Sequence, residues 1–274
     1  MGFEVRFWGV RGSIACPSRY HIRYGGNTSC VALSLDGERV ILDAGTGIRL
    51  LGRDLLRLGV TRATLLLTHT HWDHINGFPF FAPAFRSGHR FRILAGHLAG
   101  ERKIAEVVSG LMHQPMFPVP IEAMLADLEF EDFVSGEGFG LSPEIAVRTC
   151  PLRHPGGAVA YRVDFKGRSL CYVTDTEHRP GKPDEAILGL IEGADLVIYD
   201  GTYTEAEFAA KTGWGHSTWN EGVRLCRMAG ARRLAVFHHD PEHDDDMLDG
   251  VAAEAAAEWE GAFFAREGMT LSLD

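Results

Sequence analysis

The sequence has few cysteines, and none of them lie in the CxxC spacing of a metal or redox motif. The five cysteines among the 274 residues are Cys16, Cys30, Cys150, Cys171 and Cys226. An odd number at such wide spacings is not a disulfide framework, and it lacks the paired thiolates of a structural zinc site. We therefore expect most of these cysteines to be small buried apolar side chains.

Long apolar runs and an excess of positive charge are also missing. No run approaches the roughly 20 apolar residues that a membrane helix needs, and no signal peptide is visible at the start of the chain. Both absences predict a cytoplasmic protein without a membrane partner. The net charge is −10, from 27 Lys and Arg against 37 Asp and Glu, which argues against coating of duplex nucleic acid by bulk charge. A small basic patch of Arg86, His89, Arg90 and Arg92 is interpreted as a solvated face.

The pattern of apolar residues predicts strands and helices that alternate along one chain. Alternating or short continuous apolar runs are typical of strands, and apolar residues three or four positions apart are typical of helices. There is no repeat and no linker rich in Gly, Ser or Pro, so residues 1–274 are expected to form one domain. Met112–Pro120, which contains three prolines, is expected to be an irregular loop or lid.

These patterns favour a layered α/β fold with sheets inside and helices outside. The predicted strands are Glu4–Trp8, Val31–Leu35, Val40–Leu42, Thr64–Leu67, Phe91–Leu94, Ile145–Thr149, Val159–Phe165, Ser169–Val173, Leu196–Tyr199 and Leu234–Phe237. The predicted helices are Gly45–Leu58, His97–Ser109, Pro183–Glu192, Glu205–Lys211, Thr218–Ala229 and Asp245–Trp259. Asp36-Gly37 and Lys166-Gly167-Arg168 are typical of hairpin turns.

Three histidines and an aspartate fall within six positions just beyond the predicted strand Thr64–Leu67. They are His69, His71, Asp73 and His74. Imidazoles and a carboxylate at this density suit a borderline divalent ion such as zinc, which takes nitrogen and oxygen ligands. His69 and His71 can face one ion, while Asp73 and His74 can face a second. The alternative, a solvated polar loop with chance histidines, is disfavoured by this density.

One such cluster cannot complete two metal sites, so further ligands are expected at other strand ends. Three candidates each follow an apolar strand: His154, Asp175 and His238. Asp175 could bridge both ions, although each of the three alone would also fit a capping or core role. His239 adjoins His238, and the alternation of side chains along a strand does not decide which of the two points inward. His238 is preferred, and His239 with Asp240 is the alternative.

These motifs resemble the metallo-β-lactamase superfamily of binuclear metallohydrolases. The resemblance covers most of the chain and includes Ile41–Gly47, which is similar to the acidic strand-end motif of the family. It implies a four-layer αββα sandwich and two divalent ions bridged by Asp175. One ion would be held by His69, His71 and His154, and the other by Asp73, His74 and His238. Asp43 would orient a ligand histidine, or would otherwise be a buried turn carboxylate.

The segment Trp214-Gly-His-Ser-Thr218 resembles an element of the ribonuclease Z-like phosphodiesterases within that superfamily. A histidine near the metals can hold a phosphoryl oxygen or protonate a leaving alkoxide, so His216 is a candidate catalytic residue. Ser217 or Thr218 can also serve as a helix N-cap, and both roles can hold. The resemblance implies attack on phosphorus by a metal-bridging hydroxide, oriented by Asp73 or Asp175, while the ions neutralise phosphate oxygens.

The substrate is expected to be a small or cyclic phosphodiester or a nucleotide. The chain lacks the long Gly/Pro-rich arm with which ribonuclease Z grips transfer RNA, which disfavours large RNA without ruling it out. Two other functions remain open: thioester or lactone hydrolysis of the glyoxalase II type with the same ligands, and a non-catalytic metal-dependent sensor or scaffold. The third is disfavoured because structural zinc sites are closed four-ligand shells. Zinc is the expected metal, manganese or iron would accept the same ligands, and a homodimer stays open.

Overall fold

The computed structural model describes residues 2–98 and 100–274, and its strands form two mixed sheets of seven strands each. The first sheet contains β1 (Phe3–Gly9), β2 (Cys30–Leu35), β3 (Glu38–Leu42), β4 (Arg62–Leu67), β5 (Arg90–Ala95), β6 (Asp127–Asp132) and β14 (Thr270–Ser272). Their order across the sheet is β14-β1-β2-β3-β4-β5-β6. Strands β3 to β6 are parallel, so their carboxyl ends lie at one edge.

The second sheet repeats this arrangement with the later part of the chain. It contains β7 (Gly138–Ser142), β8 (Ile145–Leu152), β9 (Ala158–Phe165), β10 (Arg168–Val173), β11 (Leu196–Asp200), β12 (Leu234–Phe237) and β13 (Ala262–Phe264). The order is β13-β12-β11-β10-β9-β8-β7, and β10 to β13 are parallel. Both predicted hairpins are present, because Asp36, Gly37, Lys166 and Gly167 all have the positive φ that a tight two-residue turn requires.

The longer helices cover the outer face of each sheet. The helices of the described residues are α1 (Ile48–Arg57), α2 (Trp72–Ile75), α3 (Ile104–Leu111), α4 (Glu185–Ile191), α5 (Glu205–Phe208), α6 (Trp219–Met228) and α7 (Asp245–Glu258). In α1 the apolar residues Ile48, Leu51 and Leu55 form one buried stripe against the first sheet. Helices α4, α6 and α7 bury their apolar stripes against the second sheet.

The central core lies between the two sheets and is built from both of them. Alternate residues of β1 point into it: Phe3 meets Phe165 and Phe7 meets Phe237 of the second sheet, each with ring centroids 6.2 Å apart. Together with the outer helices this gives four layers, so the αββα sandwich is confirmed. Assignment of residues 1–274 to one domain stays a prediction. In the described part of the chain, no helix is long and apolar enough to cross a membrane.

The predicted helix His97–Ser109 is wrong in its first turns. The helix begins at Ile104, whose backbone N–H donates to Asp132 Oδ1 at 2.9 Å. His97 lies outside the helix, with Nε2 3.0 Å from Thr70 Oγ1; Ala99 lies outside the described residues. The other predicted helices differ by a few residues at their ends, except that Glu205–Lys211 divides into α5 and the short 3-10 helix Ala209–Lys211. Met112–Pro120 is irregular, as predicted.

Four observed strands, β6, β7, β13 and β14, were not predicted, and they are the edges of the two sheets. Strand β6 alternates acidic and apolar residues, and its Glu129 and Glu131 pair with Arg90 and Arg92 of β5. The interpretation of the basic patch as a solvated face therefore holds for Arg90 and Arg92, whose charges are matched by neighbouring carboxylates.

Candidate metal centre

The histidine motif lies where β4 ends at the seam between the two sheets. His69 and His71 follow the strand, and the short helix α2 carries Asp73 and His74. His69, Asp73 and His74 are buried, whereas His71 is exposed. The second sheet supplies the other predicted ligands from the ends of its strands: His154 after β8, Asp175 after β10, and His238 after β12. All seven predicted ligands are brought to this seam.

The first group of side chains consists of His69, His71 and His154. His154 Nε2 is 2.9 Å from His71 Nδ1, and the ring centroids of His69 and His154 are 4.8 Å apart. Asp175 Oδ2 lies 3.7 Å from His69 Nε2 and 3.6 Å from His154 Nε2. One carboxylate oxygen of Asp175 therefore faces this group.

The second group consists of Asp73, His74 and His238. Asp73 Oδ2 is 3.3 Å from His74 Nε2 and 3.2 Å from His238 Nε2. Asp175 Oδ1 lies 3.2 Å from His74 Nε2 and 3.3 Å from His238 Nε2. The two oxygens of Asp175 thus face different groups, as a bridging carboxylate would.

The outer nitrogens of three histidines are held by hydrogen-bonding partners, which leaves their inner nitrogens with lone pairs. His74 Nδ1 donates to Asp43 Oδ2 at 2.8 Å, and His154 Nδ1 donates to Gly215 O at 2.8 Å. His238 Nδ1 lies 3.0 Å from Thr202 Oγ1. Such partners fix the tautomer and orient metal-binding histidines. When these rings are neutral, as metal ligation requires, each Nε2 presents a lone pair toward carboxylate oxygens and other imidazole nitrogens.

Facing acceptors of this kind require a positive charge between them. His74 Nε2 and His238 Nε2 are only 3.2 Å apart, and His69 Nε2 is buried with no hydrogen-bond partner among the described residues. A buried polar atom without a partner is rare and calls for an explanation. Nitrogen and oxygen donors in two adjoining groups fit divalent cations, so the residues present suit such ions.

The backbone also packs closely against two of the candidate ligand histidines. A Cβ atom on Gly12 would lie 2.3 Å from the His238 ring, and one on Gly215 would lie 2.3 Å from His154 Nδ1. Asp43, Asp175 and His238 have φ values of 60°, 59° and 61°. This left-handed conformation is strained for residues other than glycine, although Asn, Asp and His adopt it most readily. Each of the three ends a strand there and turns its side chain into the seam.

His216 lies beside both groups. Its ring stacks on His238 with centroids 4.8 Å apart, and its centroid is 5.3 Å from that of His154. Nδ1 of His216 is 3.0 Å from Asp200 Oδ2 and 3.8 Å from Asp175 Oδ2. Within the described residues, Nε2 of His216 makes no hydrogen bond. The ring is therefore oriented by Asp200 through one nitrogen, and the other remains available to a ligand.

The residues after His216 also begin a helix, as expected from the interpretation of Ser217 or Thr218 as a helix N-cap. Thr218 is the N-cap of α6, and its Oγ1 accepts a hydrogen bond from Glu221 N at 3.2 Å. Ser217 instead lies 2.8 Å from His178 Nδ1 and 3.2 Å from Tyr199 Oη through its hydroxyl. Capping and the placement of His216 at the seam coexist.

The sequence profile of the beta-lactamase superfamily domain matches residues 38–239. The chain belongs to this superfamily. The matched range contains all seven predicted ligands and His216. As a member of the superfamily with these His and Asp groups, the protein binds divalent metal.

Relatives and solved structures narrow the comparison within the superfamily. Ribonuclease Z of Haloarcula marismortui is 26% identical, with 98% of this chain and 96% of that protein covered. The structure of YhfI from Bacillus subtilis superposes with a TM-score of 0.75 at 18% identity, covering 98% of each chain. The short form of human tRNase Z gives a TM-score of 0.71 at 19% identity, covering 99% of each chain. The predicted ribonuclease Z-like branch and the metal-dependent hydrolase class are confirmed.

The carboxylates of this superfamily site decide which histidines carry charge. Burial lowers the pKa of His69 well below its ordinary value, so this ring is neutral. Burial acts in the same direction on His74, but Asp175, Asp73 and Asp43 outweigh it and raise the pKa of His74 well above its ordinary value. Burial would likewise lower the pKa of His216, yet Asp200 and Asp175 raise it to about 9. The carboxylates of the site therefore favour protonated His74 and His216 when no cation is bound.

Of the two adjacent histidines after β12, His238 faces the site and His239 does not. His239 Nε2 lies 2.8 Å from Ala265 O, and its ring stacks on Phe264. The preference for His238 matches this geometry. Asp200 was not among the predicted residues, although it ends strand β11 just as Asp175 follows strand β10. Its place at a strand end was the signal that could have found it.

Proposed function

We propose that this superfamily member is a phosphodiesterase with two divalent ions. One ion would be held by His69, His71 and His154, and the other by Asp73, His74 and His238, with Asp175 shared. The proposal is supported by the two oxygens of Asp175, which lie within 3.7 Å of imidazole nitrogens in separate groups. Zinc suits nitrogen and oxygen donors, and manganese or iron would accept the same set.

Divalent ions in such a site lower the pKa of bound water toward neutrality and offset the charge of phosphate oxygens. The chain's own residues then orient the reactants. Asp73 is held by Ser13 N, which donates to its Oδ2 at 2.7 Å, so its carboxylate can orient the attacking water. Nδ1 of His216 is turned toward Asp200, which keeps the ring in one orientation and leaves Nε2 to donate a proton.

The observation that carries the phosphodiesterase assignment is the pairing of His216 with Asp200 at 3.0 Å beside Asp175. An alkoxide leaving a phosphodiester departs slowly unless it receives a proton, and a positioned imidazolium supplies one. Asp200 favours the protonated ring because it lies against Nδ1. A thioester releases a thiolate, which has far less need of a proton, so this arrangement is better suited to a phosphodiester.

We propose a small or cyclic phosphodiester, or a nucleotide, as the substrate. The alignment with the Haloarcula ribonuclease Z spans 321 positions, whereas this chain has 274 residues, so at least 47 positions lack a counterpart here. The net charge of −10 and the pairing of Arg90 and Arg92 with carboxylates disfavour RNA binding by bulk positive charge. Cytoplasmic location and a homodimer stay predictions.

Hydrolysis of three substrates by the metal-loaded protein tests this function. The substrates are bis(p-nitrophenyl) phosphate, an acyl-glutathione thioester and a transfer RNA precursor. We expect the diester to be turned over fastest. In His216→Ala, with metal content and melting temperature retained, turnover of an alkyl diester should fall about a hundredfold or more, and the loss should shrink for acidic phenol leaving groups. The matched control is His113→Ala, which removes an exposed histidine.

Three outcomes would contradict the proposal or a part of it. Faster turnover of the thioester would favour the glyoxalase II-like alternative. Cleavage of the transfer RNA precursor at a kcat/KM far above that of the small diesters would replace the substrate class. Equal losses in His216→Ala for good and poor leaving groups would remove His216 from proton transfer.

A further inference from the structure

Trp214 combines high exposure with a rigidly held backbone. Its side chain is 59% exposed, although it stands only two residues before His216. The backbone N–H groups of both flanking glycines, Gly213 and Gly215, donate to Glu177 Oε2 at 2.6 and 3.0 Å. Gly215 O in turn accepts from the candidate ligand His154. The position of Trp214 is thus tied to the geometry of the metal centre.

The indole ring of Trp214 also contacts a cation. Lys211 Nζ lies 4.3 Å from the ring centroid, within the range of a cation–π contact. The same ammonium is 5.6 Å from the ring of Tyr203, which meets His216 edge-on at 5.8 Å. Within the described residues, no carboxylate lies within 4.0 Å of Lys211 Nζ. A series of contacts therefore runs from His216 through Tyr203 and Lys211 to Trp214.

An exposed indole that is fixed in this way is suited to bind a flat group. Holding a ligand-contacting side chain in place before binding lowers the entropy lost on association. Stacking on an aromatic face is the usual way in which proteins bind nucleobases without reading their sequence. The unpaired charge of Lys211, beside the same ring, favours a substrate that is also anionic. Alkyl and glycerol phosphodiesters carry the charge but have no planar group.

We propose that Trp214 is a stacking platform for a nucleobase, so that the substrate is a phosphodiester bearing a nucleoside. The scissile phosphate lies at the metal centre beside His216, and the base of the same nucleotide lies on the open face of the indole. Lys211 is a positioning residue that holds the opposite face of the ring. This inference rests on the proposed phosphodiesterase function and adds its substrate class.

A pair of substrates with one leaving group tests the platform. The p-nitrophenyl ester of thymidine monophosphate carries a base, and methyl p-nitrophenyl phosphate does not. In Trp214→Ala, the ratio of kcat/KM for the first substrate to that for the second should fall about 5- to 150-fold, which is the value of one base–aromatic stack. Trp214→Phe should retain most of the ratio. Met228→Ala, which removes an equally exposed apolar side chain on α6, should leave the ratio at the wild-type value.

Binding of thymidine monophosphate gives a readout that needs no turnover. By isothermal titration calorimetry, Trp214→Ala should weaken the Kd by the same factor, and Trp214→Phe should restore most of the affinity. A ratio and a Kd that match the wild type in Trp214→Ala would overturn the platform. A wild-type protein that hydrolyses neither ester would overturn the phosphodiesterase function instead, while the calorimetric comparison would still decide the role of Trp214.

Discussion

Asp43 offers a sharp test of the idea that outer hydrogen bonds prepare the ligand histidines. This fully buried carboxylate, at the end of β3, accepts hydrogen bonds from Thr68 N at 2.8 Å, His74 Nδ1 at 2.8 Å and Tyr172 Oη at 2.9 Å. The hydroxyl of Thr68 is a further donor. Asp43→Asn keeps the shape of the side chain but replaces one acceptor oxygen with an NH₂ group.

The size of the effect follows from the two ways in which the amide can lie. If NH₂ faces His74, the ring must accept at Nδ1 and carry its proton on Nε2, the nitrogen that faces Asp73 and Asp175. If NH₂ faces Thr68, the buried N–H of Thr68 loses its acceptor. An unsatisfied buried group costs about 1–3 kcal/mol. A bound ion needs the lone pair of His74 Nε2, so it forces the arrangement in which NH₂ faces Thr68. The affinity for the ion at the His74 group should therefore fall about 5- to 150-fold.

Competition with a chromogenic chelator measures this affinity when metal-free protein is titrated with zinc. The matched control is Tyr172→Phe, which removes a donor to the same oxygen of Asp43 and leaves the acceptor for His74 intact. It should cost about 1 kcal/mol of stability and should keep zinc affinity within about threefold of the wild type. Imidazole nitrogen NMR shifts of the metal-free proteins should show protons on both nitrogens of His74 in the wild type and on Nε2 alone in Asp43→Asn.

The reasoning would be refuted by a folded Asp43→Asn protein whose two zinc affinities match those of the wild type. The same result with a lower melting temperature would mean that Asp43 is a buried turn carboxylate that stabilises the fold alone. A loss of zinc affinity in Tyr172→Phe as large as that in Asp43→Asn would also refute it, because the tautomer of His74 is not altered in that variant.

Three further predictions follow from the shared carboxylate, the metal-linked seam and the close glycines. Asp175→Ala should weaken both ions in elemental analysis, whereas His154→Ala should weaken mainly one; two tightly bound ions in Asp175→Ala would exclude the bridge. Chelation should lower the melting temperature by about 5 °C or more; an unchanged melting curve would exclude metal binding that favours the folded state. Gly215→Ala should lose at least about 1 kcal/mol of stability and bind less metal, because its new methyl group meets the His154 ring; wild-type values for both would contradict the close approach.

The sequence predicted the interior of both sheets and missed their edges. Every predicted strand lies within an observed strand, because strands such as β11 are buried on both faces and continuously apolar, and strands such as β1 and β8 alternate between buried and exposed residues. Strands β6, β7, β13 and β14 each have a neighbour on one side only. Such strands are short or half exposed, and their composition resembles that of loops. The edge strand Asp127–Asp132 is recognised from its pairing with β5 and not from its sequence pattern.

At the site, residue type and position at a strand end carried most of the prediction. Histidines and aspartates directly after apolar strands are unusual enough to be recognised in a sequence. Because the strands that carry them end at the same seam, all seven candidates lie together. Asp200 was missed although it ends the apolar strand β11, the same signal that identified Asp175 after β10. The choice between His238 and His239 depends on a left-handed residue at position 238, with φ of 61°, and such local backbone turns are not encoded by alternation.

The candidate ligands come from both sheets, and this has a consequence for how the protein holds together in the cell. His74 and His238 meet although 164 positions separate them along the chain, and all five cysteines are free thiols. Ions bound at the seam would join these distant segments as a disulfide does in a secreted protein, but they would act by stabilising the folded state, in which the site exists. Unlike a disulfide, this metal-mediated link between the sheets is lost when metal is removed. Newly made chains that have not yet bound metal should therefore open at the seam more often. In a metal-starved cell, we expect proteases to cut them there.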